Sequence, residues 1–233
     1  MLLQAALNGP WTRADHPSVP VSMVELARDA AACAAAGAGA IHLHPRDPEG
    51  RESLDVDVVD VVVTCVREAC GVPVGVSTGA WMEPDVERRV ALVRAWSAPD
   101  YASVNLSEDG AVDIMRALIA AGVGIEAGVW SVADAELLAA SGVDVTRVLV
   151  EPVDVGAEEA VAVVEQIHAA LDRFGVAAPR LQHGDGEATW VLLRDAIARG
   201  VDTRIGLEDT QYEPDGARTT GNAALVRAAA QYT

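Results

Sequence analysis

His42 and His44 stand two apart in the run Ile41-His42-Leu43-His44-Pro45-Arg46. Residues at that spacing on a strand face the same side, so both imidazoles point one way. Two imidazoles so placed can hold one divalent ion, Zn²⁺ above all. A pair of satisfied or surface histidines is the alternative. A second cluster lies far along the chain, in Arg204-Ile205-Gly206-Leu207-Glu208-Asp209. On a strand, Arg204, Gly206 and Glu208 share a face. Burying Arg and Glu is expensive unless they pair or bind a ligand. Gly206 between them removes bulk and leaves room for a substrate. Two His and one Glu with a fourth position open is a catalytic zinc arrangement. A solvated loop or a helix cap is the other reading of Glu208-Asp209.

Smaller groups complete the set. Ser77, Thr78 and Gly79 could offer hydrogen bonds to a substrate carboxylate, or could be turn residues. Asn8 and Asn105 are polar where strand cores are apolar; each suits substrate orientation or a loop cap. Glu126, mid-strand, needs a partner such as Arg204. His183 suits a substrate contact or a cap.

These residues fall on a regular frame. Strands are expected at 2–8, 40–45, 73–79, 101–106, 124–130, 147–152, 179–184 and 203–208. Helices are expected at 22–37, 56–71, 84–96, 111–122, 131–142, 156–174, 187–200 and 221–232. Gly37, Gly71, Gly122, Gly142 and Gly200 supply the left-handed residue that closes a helix; Ser22, Pro84 and Ser131 mark starts. The 56–71 segment is valine-rich, as strands are. Its apolar residues Val59, Val62, Val63, Val66 and Cys70 nonetheless recur at helical spacing. Eight βα units with no composition break predict one (β/α)₈ TIM barrel over residues 1–233. An open doubly wound sheet is the alternative, but no GxGxxG follows the first strand. In either fold, function sits at the carboxyl ends of the strands. In a closed barrel, strands 2 and 8 both flank strand 1, which brings Glu208 toward His42 and His44.

Composition narrows the chemistry. The chain has 233 residues, 51% hydrophobic, with mean hydropathy +0.20 and net charge −18. That surface repels nucleic acid and anionic membranes. No apolar run reaches the roughly 18 residues of a membrane span. The N-terminus lacks the basic and apolar regions of a signal peptide, so a cytoplasmic location is expected. All 17 basic residues are Arg. Without lysine there is no Schiff-base aldolase, P-loop or kinase chemistry. Carbon–carbon chemistry here must use a metal or an acid/base pair. Cys33, Cys65 and Cys70 are few, odd in number and form no CxxC, which argues against a disulfide framework or a structural zinc site.

The sequence resembles the β-keto acid cleavage enzymes. The likeness is carried by Ala6-Leu7-Asn8-Gly9, His16-Pro17, Ile41-His42-Leu43-His44-Pro45-Arg46, Ser77-Thr78-Gly79, Ser103-Val104-Asn105 and Arg204-Ile205-Gly206-Leu207-Glu208-Asp209. The resemblance implies a zinc-bearing barrel, homo-oligomeric in most members. It implies conversion of a β-keto acid and acetyl-CoA into acetoacetate and a new acyl-CoA. It makes His42, His44 and Glu208 metal ligands and Asp209 the general base. Arg204 becomes the group that orients the base and steadies negative charge, and Ser77 and Thr78 carboxylate contacts. The loops are leaner than in typical members, and an apolar Trp11 after Gly9 and Pro10 argues against an amino-substituted substrate. A metal-dependent aldolase or hydrolase that uses no CoA, or a metal-binding barrel without turnover, are the other readings.

Overall fold

The valine-rich 56–71 segment sets strand propensity against helical periodicity. It folds as a helix, Val56–Cys70, because its buried face (Val59, Val62, Val63 and Val66) repeats at helical spacing. Asp55 caps it through the Asp57 N–H, and Gly71 ends it at φ 70°, where a side chain would be strained. Tertiary packing overrides intrinsic preference here.

The same alternation runs throughout the computed structural model, which describes residues 1–232; Thr233, the last residue of the expected domain, lies outside them. The order is β1 (Leu3–Ala6), α1 (Met23–Ala35), β2 (Ala40–Leu43), α2 (Val56–Cys70), β3 (Val74–Ser77), α3 (Val86–Arg94), β4 (Tyr101–Asn105) and α4 (Ala111–Ala121). It continues with β5 (Gly124–Val129), α5 (Val132–Ser141), β6 (Arg147–Val150), α6 (Ala157–Arg173), β7 (Arg180–Gln182), α7 (Thr189–Arg199), β8 (Asp202–Ile205) and α8 (Asn222–Ala229). All eight strands are parallel and close as β1 to β8 in sequence order. The expected TIM barrel is therefore correct, and the open sheet is not. Ser22 and Ser131 cap their helices as expected, Ser22 within a full capping box with Glu25. At α3 the cap is Asp85, so Pro84, expected in the first turn, stands just before the helix. The three cysteines are free thiols on α1 and α2. Among the described residues no helix is long and apolar enough to cross a membrane.

Strand ends differ from expectation where they matter most. The eighth strand stops at Ile205, and residues 206–209 form a tight turn, with Asp209 and Thr210 N–H groups donating to the Gly206 carbonyl at 3.0 and 2.9 Å. Gly206 does not leave room for a ligand. A Cβ there would lie 1.8 Å from the Ala6 carbonyl oxygen, so the missing side chain lets β1 and the end of β8 touch. Inside the barrel, Gly75 likewise gives way to the Tyr101 ring, which a Cβ would meet at 1.9 Å. Small against large fills the taper of a closed barrel.

Gly206→Ala must push the β1–β8 seam apart. A loss of about 2–4 kcal/mol is expected, read by urea denaturation. Gly156→Ala, at φ −66° and with no atom within 4 Å of its Cβ, should stay within about 0.5 kcal/mol of the parent.

Candidate active site

His42 projects inward from β2, and His44 follows two residues later, just past the strand; both are buried. Their Nε2 atoms each lie 3.6 Å from Glu208 Oε1. The Asn8 amide fixes the His44 backbone from both sides, donating to its carbonyl and accepting from its N–H, each at 2.9 Å. Asn8 is thus a positioning residue; its expected substrate contact is corrected, because its amide is engaged with the chain. The His44 ring is set by Glu52, whose Oε1 lies 2.5 Å from Nδ1. An isolated antiparallel bridge between Arg46 and Glu52 folds the β2–α2 loop back to bring that carboxylate there. Trp81 donates to the same carboxylate at 3.2 Å.

Opposite the histidines, the 206–209 turn aims two successive carboxylates at one cation. Arg204 Nη2 donates to Glu208 Oε1 at 2.7 Å and to Asp209 Oδ1 at 2.6 Å, and Arg204 Nε adds a 3.1 Å bond to Asp209 Oδ1. Burial opposes the charge on Glu208, but Arg204 and the two histidines outweigh it and hold this carboxyl well below the usual range. Burial dominates at Asp209 and raises its carboxyl despite Arg204. Burial pushes His42 down to about 3. At His44 burial acts the same way, yet Glu208 and Glu52 prevail and raise it to about 9.

This donor set fits a divalent metal. The ligand atoms of His42, His44 and Glu208 lie within 4.8 Å of one another. Separations of 3.6 Å are too long for hydrogen bonds, but close to the edge of a tetrahedron of bonds about 2.1 Å long, roughly 3.4 Å. Glu208 Oε2 is buried without a hydrogen-bond partner. The carboxylate behind His44 is the outer support that metal-binding imidazoles need. A raised His44 beside a lowered Glu208 describes a gap that favours one positive charge.

The family model for β-keto acid cleavage enzymes matches residues 1–233. The chain belongs to that family. A 71-residue stretch, 30% of this chain, is 35% identical to the 3-keto-5-aminohexanoate cleavage enzyme of Fusobacterium nucleatum subsp. nucleatum and covers 26% of that protein. The counterpart from Acetoanaerobium sticklandii is 32% identical over 71 residues, with the same coverage. The alignments therefore span about a quarter of those relatives. Among solved structures, ObcA in ternary complex with a C4-CoA adduct and oxalate superposes with TM-score 0.72 at 16% identity, over 92% of this chain and 63% of that one. ObcA in binary complex with oxaloacetate gives TM-score 0.71 at the same identity and coverage. These likenesses show the shared barrel.

In this β-keto acid cleavage family member, a cavity of about 1130 Å³ opens beside His42, His44 and Glu208. Ser77, Asn105, Arg204, Glu208 and Asp209 line it, as does Ser103. Thr78 does not; its hydroxyl donates to the Ser103 carbonyl at 2.7 Å and supports the wall. Gly79 is bare because the Trp81 ring lies over it, 2.1 Å from where a Cβ would sit. Glu126 is buried below the cavity, 3.1 Å from Arg147 and 2.8 Å from the Gln4 amide. Its expected ion-pair partner, Arg204, is thereby corrected to Arg147, and Glu126 is a barrel-interior residue. Burial pushes its carboxyl up to about 7. The cavity's other wall carries Glu151, 2.7 Å from His183 Nε2 and accepting from Trp130 Nε1 at 2.9 Å. Glu52 and Glu151 were not anticipated. The strand-end rule that singled out Glu208 also points to Glu151, one residue past β6.

Metal binding should depend on pH with a definite sign. His42 is neutral throughout the accessible range and Glu208 ionised, so His44 sets the competition with protons. Affinity for Zn²⁺ should rise about tenfold per pH unit from pH 6 to near 9 and then level off. Competition against a chromophoric chelator, corrected for the chelator's own protonation, measures this; a flat response would remove His44 as a ligand.

Proposed function

We propose that this chain is a zinc-dependent β-keto acid cleavage enzyme, condensing a β-keto acid with acetyl-CoA to give acetoacetate and a new acyl-CoA. The observation that carries the reading is the meeting of His42, His44 and Glu208 with the Arg204–Asp209 pair in one cavity. Membership of the family supports it. So does ObcA, a barrel of the same fold captured with a CoA adduct and with oxaloacetate, itself a β-keto acid.

His42, His44 and Glu208 would hold the zinc ion, which would supply Lewis-acid polarisation of the keto oxygen. Asp209 takes the α-proton on Oδ2, the oxygen that accepts only a 3.3 Å contact from Arg204. Arg204 fixes the plane of that carboxylate and keeps it beside Glu208. Ser77, with Ser103 across the wall, donates hydroxyl hydrogen bonds to the acid's carboxylate. The α-carbon then attacks the acetyl carbonyl and the CoA thiolate leaves. That thiolate adds to the original keto carbonyl, and the bond from this carbon to the α-carbon breaks. The departing acetoacetate carbanion recovers its proton from Asp209, while the acyl group stays on CoA.

The test combines metal analysis with turnover of a β-keto acid panel, with and without acetyl-CoA, scored for acetoacetate. Turnover that needs no CoA would instead indicate a metal-dependent aldolase or hydrolase. Asp209→Asn should retain full metal and lose about 10²-fold or more in kcat. His42→Ala should lose the metal.

A further inference from the structure

Four of the five tryptophans (Trp11, Trp81, Trp130 and Trp190) line the cavity above the ligand set. Each indole N–H is engaged by the protein. Trp11 donates to the Glu208 carbonyl at 2.9 Å, Trp81 to the Glu52 carboxylate at 3.2 Å, Trp130 to Glu151 at 2.9 Å and Trp190 to the Tyr212 carbonyl at 2.8 Å. A pinned indole offers the cavity its ring and not its donor. Trp81 also stacks on His44 with centroids 6.0 Å apart, so one of these rings borders the reacting centre. Trp11 and Trp81 remain 40% and 53% exposed, an apolar mouth that a ligand would cover.

The charges around the cavity point the same way. Arg204 is the only arginine among the described lining residues, and both carboxylates it faces already engage it. Glu151 is engaged by Trp130 and His183. Asp185 and Glu187 stand exposed at the rim, where they disfavour a carboxylate tip and where solvent screens their pull on an ammonium one. Among the described residues, each charged side chain lining the interior is therefore already engaged by a neighbour.

Resting on the reading that this site cleaves β-keto acids, we propose that its substrate carries a bulky apolar group of aryl size beyond the keto carbon. That group packs against Trp11 and Trp81; an ammonium or carboxylate tip is disfavoured. The zinc-loaded protein is titrated with three 3-oxo acids tipped by phenyl, ammonium or carboxylate, and with CoA alone, following indole fluorescence. Turnover of the same acids with acetyl-CoA is followed separately. The phenyl-tipped acid should bind about tenfold or more tighter than either charged one. Trp11→Ala and Trp81→Ala, both at half-exposed positions that leave the core intact, should each shrink that ratio severalfold. A charged tip bound as tightly, a preference that survives both substitutions, or no saturable quenching would overturn the proposal. So would indistinguishable acids together with tryptophan-dependent quenching by CoA, which would put the rings under its adenine. Phenyl preference in binding without acetyl-CoA-dependent turnover would remove the acyl-transfer reading and leave this one standing. Acetyl-CoA-dependent turnover that favours a charged tip would do the reverse.

Discussion

The Arg204 guanidinium lies inside the barrel between Glu208 and Asp209, the one arginine paired with either among the described residues. Two buried ions and a third that is largely covered are expensive to desolvate, but removing one partner from such a set costs more, because it leaves charge without compensation. The position of Arg204 therefore serves stability and, under the proposed reaction, chemistry as well. It also explains how neighbours in sequence come to face one cavity. On a strand, residues 208 and 209 would point to opposite sides. The chain turns immediately after Ile205, and one guanidinium then collects both carboxylates.

That turn exists because the barrel closes there. Gly206 lets the end of β8 press on Ala6 of β1, and the Glu208 N–H reaches the Ala6 carbonyl at 3.3 Å. Asn222, at the start of α8, is fully buried and ties the same seam together. It accepts from the Leu207 N–H at 2.6 Å and donates to the Leu7 carbonyl at 2.8 Å. Across the seam, Asn8 clamps His44 in the same manner. The candidate ligands drawn from two ends of the chain are thus held by buried side-chain amides that bridge β1 to its two neighbours. Buried amides of this kind specify one geometry, because any other leaves them unsatisfied.

The eight units were legible from the sequence because hydrophobic period, caps and glycine stops are local signals. The meeting of His42 and His44 with Glu208 was legible too, since it needed only the rule that strands 2 and 8 flank strand 1. What escaped depends on register or on loop path. Glu126 finds Arg147 because β5 and β6 pair those two positions, a register that no local pattern encodes. Glu52 reaches His44 only because its loop doubles back at the Arg46 bridge. Gly206 was misread because a missing side chain looks the same in sequence whether the space goes to a ligand or to a neighbouring backbone. Asn8 and Thr78 carry two readings in the sequence for a similar reason: polar residues at strand ends serve substrate or scaffold, and only their partners decide.

The division of labour between Glu208 and Asp209 follows from their surroundings. Both are carboxylates beside the same arginine, but Glu208 also faces two imidazoles, which help hold it ionised. Asp209 has His183 at 3.9 Å as its other near basic group, and burial raises its carboxyl. Adjacent acids pushed in opposite directions are suited to opposite tasks. One remains an anion able to hold a cation, and the other can take up and return a proton. Exchanging their environments would require the turn to rotate by one residue, which the closure at Gly206 and the Asn222 clamp on Leu207 both oppose. Under the proposed reaction, the assignment of ligand and base is thus a consequence of how the last strand meets the first.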